Sequence, residues 1–333
     1  MKYIVHFRLL ICCCLWLGLF SACKKNQETP NTSNPTILQY IAADPQLTLL
    51  RTAITRCNLD TVFASGGPYT FFCPNDSAFI AAGLTADSIA RYNPDSLSNL
   101  LKYHILSGKF SSSDLIGFVS ENVTSLDTAA KPFLTKNYYG IFLNGIGVAD
   151  GNIELGDGVI QKIGRIAFPP TMTIQQTLNS RPELSYFAEV VNDVAVFQTL
   201  LSTYNVSNGQ QGGVWIYSGE TVLVPTNAAF QQSTLYPTIA SIDQAGSNQL
   251  IGSFAVVFLN GFCFTSDFLG GFVPGVTRNE ELPGFTVVNY TIAEDGVTII
   301  PGYPVGEPPV IIVPNILCTD GVIQEISEVF IAG

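Results

Sequence analysis

The chain has 333 residues, 47% hydrophobic and only 12% charged, with 15 Lys+Arg against 26 Asp+Glu and a formal net charge of −11. So apolar a composition excludes a disordered chain, which lacks the surface to offset its conformational entropy. So acidic a chain, without any basic stripe, excludes nucleic acid as a partner. The length suits two ordinary domains, and the many aromatic and β-branched residues, punctuated by 29 Gly and 19 Pro, point to strand-rich architecture.

In chain order, the first segment reads as a secretory signal over residues 1–22: a short basic leader, MKYIVHFR, an apolar run, LLICCCLWLGLF, and the small pair Ser21-Ala22. The apolar run is too short to span a bilayer of about 30 Å comfortably. Cys23 after that pair resembles the lipobox cysteine of bacterial lipoproteins, although Phe20 stands where leucine is commoner. The resemblance implies lipid attachment at Cys23 and a place in the cell envelope, expected at the outer membrane, facing the periplasm or the cell surface. A plain secreted protein or an uncleaved anchor is the alternative. Cleavage would also remove Lys2, Arg8 and His6, leaving the remainder two charges more acidic and His104 its only histidine. Residues 23–34 are polar and proline-broken, a membrane tether of roughly 20 Å typical reach.

Beyond the tether the chain repeats itself. FFCPNDSAF (71–79) aligns without a gap on VLVPTNAAF (222–230), SSDL (112–115) on TSDF (265–268), and the identical core DGVIQ starts at both Asp157 and Asp320. Three matches in the same order mark a tandem duplication with too long a period for a solenoid. Each copy opens with helical spacing, at Leu47, Leu50 and Ile54 and at Leu184, Phe187, Val191, Val194 and Leu201, with Pro182 suited to a first turn. Each closes with strands: 139–149 and 157–168 in the first, then FTVVNYTI, GVTII and VIIVPNIL in the second. Helices early and strands late predict an α+β class.

The repeated phrase predicts a strand-to-helix corner. Residues before Pro74 alternate so as to bury one face, Pro74 ends the ladder, and Asn75 or Asp76 (Thr226 or Asn227 in the second copy) caps a helix that Phe79 or Phe230 anchors. PGYPVGEPP (301–309), in the longer second copy, predicts an exposed loop or sheet edge.

These residues carry a family resemblance. PYTFFCPNDSAF is similar to the first signature of fasciclin-like domains, LLKYHILSGKFSSSDL (100–115) resembles the second with its Tyr-His pair, and GDGVIQKIGRIAFPP (156–170) resembles the closing phrase. The resemblance implies two tandem fasciclin-like domains, 35–170 and a divergent 173–333, each a wedge of β-sheets with flanking helices. It further implies adhesion or binding to an extracellular or envelope partner, without catalysis or cofactor. The second copy departs from the pattern: Val256-Val257 stand opposite Tyr103-His104, and both copies have Gln (Gln161, Gln324) where histidine is usual.

Candidate contact residues are Tyr103 and His104 in the first copy and the aromatic faces of Trp215, Tyr217 and Tyr303 in the second. The bland reading of His104, in an apolar run, is a satisfied structural imidazole. The second-copy aromatics support an alternative function, a carbohydrate-binding accessory lipoprotein. A hydrolase using paired carboxylates is a third reading, with Glu220 and Glu280-Glu281 in expected loops, and needs a close pair of acids. DGNIELGDG (150–158) alternates like a calcium loop but has Leu155 at the glycine position and Gln161 at the bidentate Glu, so it reads as a hairpin turn; no metal is expected. Cys57, Cys73, Cys263 and Cys318 lack metal-type spacing and read as buried thiols or as one disulfide per half.

Overall fold

The computed structural model describes residues 34–65, 67–113, 118–203, 209–211, 214–216, 219–269, 290–292, 298–301 and 308–329. Residues 35–333 belong to one compact unit. The fold is α+β, and the same plan runs through it twice.

In the first half, α1 (Ile37–Ala43), α2 (Thr48–Arg56) and α3 (Asp60–Ser65) precede β1 (Tyr69–Pro74). Then α4 (Asp76–Ala81), α5 (Ala86–Arg91) and α6 (Pro94–Tyr103) lead to β2 (Ile105–Ser107). The half closes with β3 (Phe118–Asn122), β4 (Phe133–Asn137), β5 (Gly140–Leu143), β6 (Ile146–Glu154) and β7 (Gly158–Ile163), giving the sheet order β2-β1-β7-β6-β5-β4-β3. The DGNIELGDG stretch is the β6–β7 hairpin.

The second half opens on a similar order of elements, with a two-stranded ladder added before the parallel strand: α7 (Ile174–Ser180), α8 (Ser185–Asp193), α9 (Ala195–Thr203), β8 (Gly209–Gln211), β9 (Val214–Ile216) and β10 (Glu220–Pro225). There follow α10 (Asn227–Gln232), α11 (Ile239–Asp243), α12 (Ser247–Phe254), β11 (Phe258–Asn260) and α13 (Thr265–Leu269). β12 (Tyr290–Ile292), β13 (Ile299–Pro301), β14 (Ile311–Cys318) and β15 (Gly321–Ile326) end it. Its main sheet runs β11-β10-β15-β14, with β12-β13 and β8-β9 as separate ladders among the described residues. Pro301 closes the two-stranded β12-β13 ladder, and residues 302–307 lie outside the described set.

The pairing is the same residue for residue. β1 runs parallel to β7 from Tyr69↔Gly158 to Pro74↔Ile163, and β10 parallel to β15 from Glu220↔Gly321 to Pro225↔Ile326. β2 and β11 lie antiparallel on the other edge, Phe71 facing Ile105 as Val222 faces Phe258. A Cβ on Gly158 would collide with the Tyr69 carbonyl oxygen, and one on Gly321 with that of Glu220. Only glycine allows the crossover strand to approach so closely. Each half starts with a capping box, Thr36 with Gln39 and Thr173 with Gln176. The amide of the next residue then bonds the closing-phrase aspartate, Ile37 N–H to Asp157 Oδ1 at 2.8 Å and Ile174 N–H to Asp320 Oδ1 at 2.7 Å.

The corner forms as its residues require, with a division of labour. Asn75 Oδ1 accepts from Ala78 N–H and Thr226 Oγ1 from Ala229 N–H, capping α4 and α10. The next residue does something else: Asp76 accepts from Leu49 N–H at the start of α2, and Asn227 from Tyr186 N–H at the start of α8.

Two expectations need correction. β1 buries both faces rather than one, because Phe71 and Cys73 meet the helices while Phe72 meets a second apolar cluster with Tyr103 and Leu143. The helical run through Val194 is two helices, broken where Val194 turns extended (φ −119°, ψ 98°) after Asn192-Asp193, residues of weak helix propensity.

Candidate binding site

The Tyr-His pair sits at the end of α6, and neither ring is at the surface: both residues are 0% exposed. His104 Nδ1 lies 2.8 Å from the Leu100 carbonyl oxygen, and Ala167 N–H donates to Nε2 at 3.0 Å. One tautomer satisfies both bonds, neutral with its proton on Nδ1. Burial pushes its pKa down to about 4, against the opposing pull of the Leu100 carbonyl. Tyr103 Oη accepts from Asn144 Nδ2 at 3.0 Å, and Asn144 Oδ1 accepts from Phe133 N–H at 2.8 Å. Burial raises the Tyr103 phenol well above its usual range. As folded, the pair offers a partner no surface, which corrects its expectation as a contact site. The physical reason is what the two rings hold: His104 pins Ala167 where the chain leaves β7, and Tyr103 pins Asn144 in the β5–β6 turn.

The second half has no need of that brace. By strand register Val256 and Val257 occupy the equivalent places before β11, and both are buried in the apolar core. The glutamines found in place of histidine are also structural. Gln161 Oε1 accepts from Asn152 N–H while its Nε2 reaches the Phe110 carbonyl, and Gln324 repeats this with Asn315 N–H and the Cys263 carbonyl. Asn152 and Asn315 both adopt positive φ, 57° and 62°.

Of the other candidates, Trp215 lies in β9, its side chain outside the described set, as are Tyr217, Tyr303, Cys23 and Glu280-Glu281 entirely. Glu220 is not in a loop but opens β10, where it is 1% exposed. Cys57, Cys73, Cys263 and Cys318 are free thiols, and burial pushes Cys263 and Cys318 up to about 12. Glu189, Asp193 and Asp243 bring three carboxylates within 4.8 Å of one another on the outer helical surface. Desolvation, then repulsion from Asp193 and Asp243, raises the pKa of Glu189.

The two halves meet around a buried carboxylate and an aromatic stack. Asp267, 2% exposed at α13, accepts from Ser120 Oγ (2.5 Å) and Thr135 Oγ1 (3.0 Å) of the first half and from its own Phe264 N–H. Burial raises its pKa while these donors oppose the rise. Phe133 stacks on Phe262 with centroids 4.5 Å apart.

Beside this junction is a cleft of about 420 Å³ built from both halves. Ala78 and Ala81 of α4 form one wall, Pro169 and Pro170 of the connecting segment another, and Pro314 and Leu317 of β14 a third. Phe168 and Met172, also lining it, are 47% and 40% exposed. Its charged residues are two arginines, with no carboxylate among the described lining residues. Arg181 is engaged by Glu325 at 2.7 Å and Glu183 at 3.6 Å. Arg165 makes no ion pair with any described residue, and desolvation by its surroundings lowers its pKa although its side chain stays open to solvent. Sequence reasoning missed this cleft; the Phe-Pro-Pro exit from β7 was its only local sign.

The fasciclin domain family profile matches residues 45–169. The uncharacterized protein sll1735 of Synechocystis sp. is 29% identical over 133 residues, 40% of this chain and 96% of that protein. The protein sll1483 of the same organism is 28% identical over 43% of this chain and 78% of its own length. The transforming growth factor-beta-induced protein ig-h3 of Sus scrofa is 27% identical over 42% of this chain and 20% of its own. Among solved structures, a FAS1 domain pair from the insect cell adhesion molecule Fasciclin I aligns with 85% of this chain and 96% of its own, at 14% identity and a TM-score of 0.39.

Proposed function

We propose that this chain, a fasciclin-domain protein, is a non-enzymatic lipoprotein of the cell envelope that binds an extracellular or envelope partner through two fasciclin-like modules, 35–170 and 173–333. Fasciclin domains are associated with adhesion and binding, and proteins built from them are generally non-enzymatic. One observation carries the reading for this chain: the single histidine outside the leader is used up by structure. Its two ring nitrogens hold Leu100 and Ala167, so it has no free nitrogen for a nucleophile or a metal. The clustered acids Glu189, Asp193 and Asp243 lie on the outer surface, and none of them lines the cleft, which disfavours the hydrolase reading.

Lipid attachment at Cys23 would hold the modules just off a membrane, and two modules on one tether permit avidity. The test is fractionation and protease shaving of intact cells carrying the wild type or Cys23→Ala. The reading predicts membrane-bound, protease-sensitive wild type and a soluble variant. A variant that still fractionates with membranes overturns the anchor, and wild type that protease never reaches overturns binding to outside partners.

A glycan-binding reading draws on a different observation. Tyr138 and Tyr139, at the β4–β5 turn, are 96% and 59% exposed and present aromatic faces suited to sugar stacking. Glycan-array binding abolished by Trp215→Ala or Tyr138→Ala supports it; an array without signal rejects it.

A further inference from the structure

We propose that the cleft between the two halves is a binding site for a small organic carboxylate with an apolar body, its head group held by Arg165. The inference goes beyond partner binding and does not depend on it. The chain carries 26 acidic residues against 15 basic ones, yet no described lining residue of this cleft is acidic and two are arginines. The lining itself therefore presents positive and no negative side chains in an otherwise acidic molecule, which favours an anion there over a cation. Arg181 is already neutralised by Glu325 and Glu183, so the cation left to recruit a ligand is Arg165. A guanidinium presents a planar fork that pairs with both oxygens of a carboxylate.

The remaining walls say what the body of the ligand is. Alanines, prolines, Phe168 and Met172 offer contact area and few hydrogen bonds, and the polar Asn144 and Asn315 are already occupied within the protein. A volume of about 420 Å³ falls in the range of about 300–1,000 Å³ that small-molecule sites occupy. The site is also held in shape, because His104 fixes Ala167 and Tyr103 fixes Asn144, both lining residues. A fatty acid and an apolar peptide C-terminus share this chemistry.

The test is calorimetric titration of the full chain with decanoate, with an N-acetylated dileucine peptide and with decanol. Binding of either carboxylate, weakened about tenfold or more in Arg165→Gln, supports the site, since a charge-assisted bond is lost. Whichever carboxylate binds more tightly identifies the source. Ala81→Phe, on an exposed helical position lining the cleft, should block binding while leaving the thermal midpoint near wild type. Thermal melts of both variants verify folding. No carboxylate binding up to millimolar concentration, equal affinity for decanol, or unchanged affinity in folded Arg165→Gln overturns the proposal.

Discussion

The two halves share a register but not their charges. At one position of the closing strand the first half has Lys162, which pairs at 2.7 Å with Asp44, the residue that ends α1. In the second half the same strand position is Glu325, pairing at 2.7 Å with Arg181, the residue that ends α7. The ion pair is kept with its polarity reversed. Burial disfavours the charge of Asp44, but the hydrogen bond and field of Lys162 outweigh it and hold its pKa low; Glu325 is less compensated and sits high. The backbone plan therefore specifies that the helix end and the last strand be bridged there, and leaves the sign to side-chain chemistry. The Tyr-His pair teaches the converse: a shared position takes on a polar task in one half, where the chain must be steered onward into Phe168-Pro169-Pro170, and stays apolar in the other.

The comparison breaks first at the anchoring phenylalanines. Phe79 and Phe230 are both 0% exposed, so Phe79→Ala and Phe230→Ala should each cost about 3–5 kcal/mol. Denaturant midpoints measure this, and a mild effect in one half alone would mean that the corners are not equivalent. Next comes His104. Its folded pKa of about 4 lies below the ordinary 6.5, so between those values the unfolded chain takes up a proton that the fold refuses. Stability is complete above pH 6.5 and falls by about 3 kcal/mol on the way to pH 4 from this group alone. The raised acids Asp267, Asp320 and Glu325 act the other way as pH falls through their folded values. The difference in slope between wild type and His104→Gln, from unfolding curves across pH 4–7, isolates the histidine.

The swapped ion pair gives a third, smaller effect. Lys162→Glu should cost about 2–3 kcal/mol by setting a third carboxylate beside Asp44 and Asp150, and Asp44→Lys in the same chain should restore more than half of it. A double-mutant cycle in the unfolding free energy reads this directly. Smallest is Asp267→Ala, which leaves the hydroxyls of Ser120 and Thr135 without their shared acceptor and should cost about 1–2 kcal/mol. Faster amide exchange in β4 and α13 would locate the loss at the junction of the halves.

Much of this fold was legible because its signals are local. The Pro-Asn-Asp corner, the glycine after each closing aspartate and the alternation of the last strands announce themselves within a few residues. The duplication was legible because those signals recur in order. What could not be read were pairings across distance. Lys162 with Asp44, Asp267 with Ser120 and the three walls of the cleft join segments far apart in the chain, which only the packing of the folded chain brings together. The Tyr-His pair was visible as a motif, but its task depended on Ala167, which nothing local to His104 marks.

The most direct test of this account is a nitrogen-15 NMR titration of His104, assigned by its loss in His104→Gln. An imidazole that keeps its proton on Nδ1 and does not titrate from pH 8 down to 5 is the predicted result. A ring that protonates near pH 6.5, or carries its proton on Nε2, would contradict the structural role on which the binding reading rests.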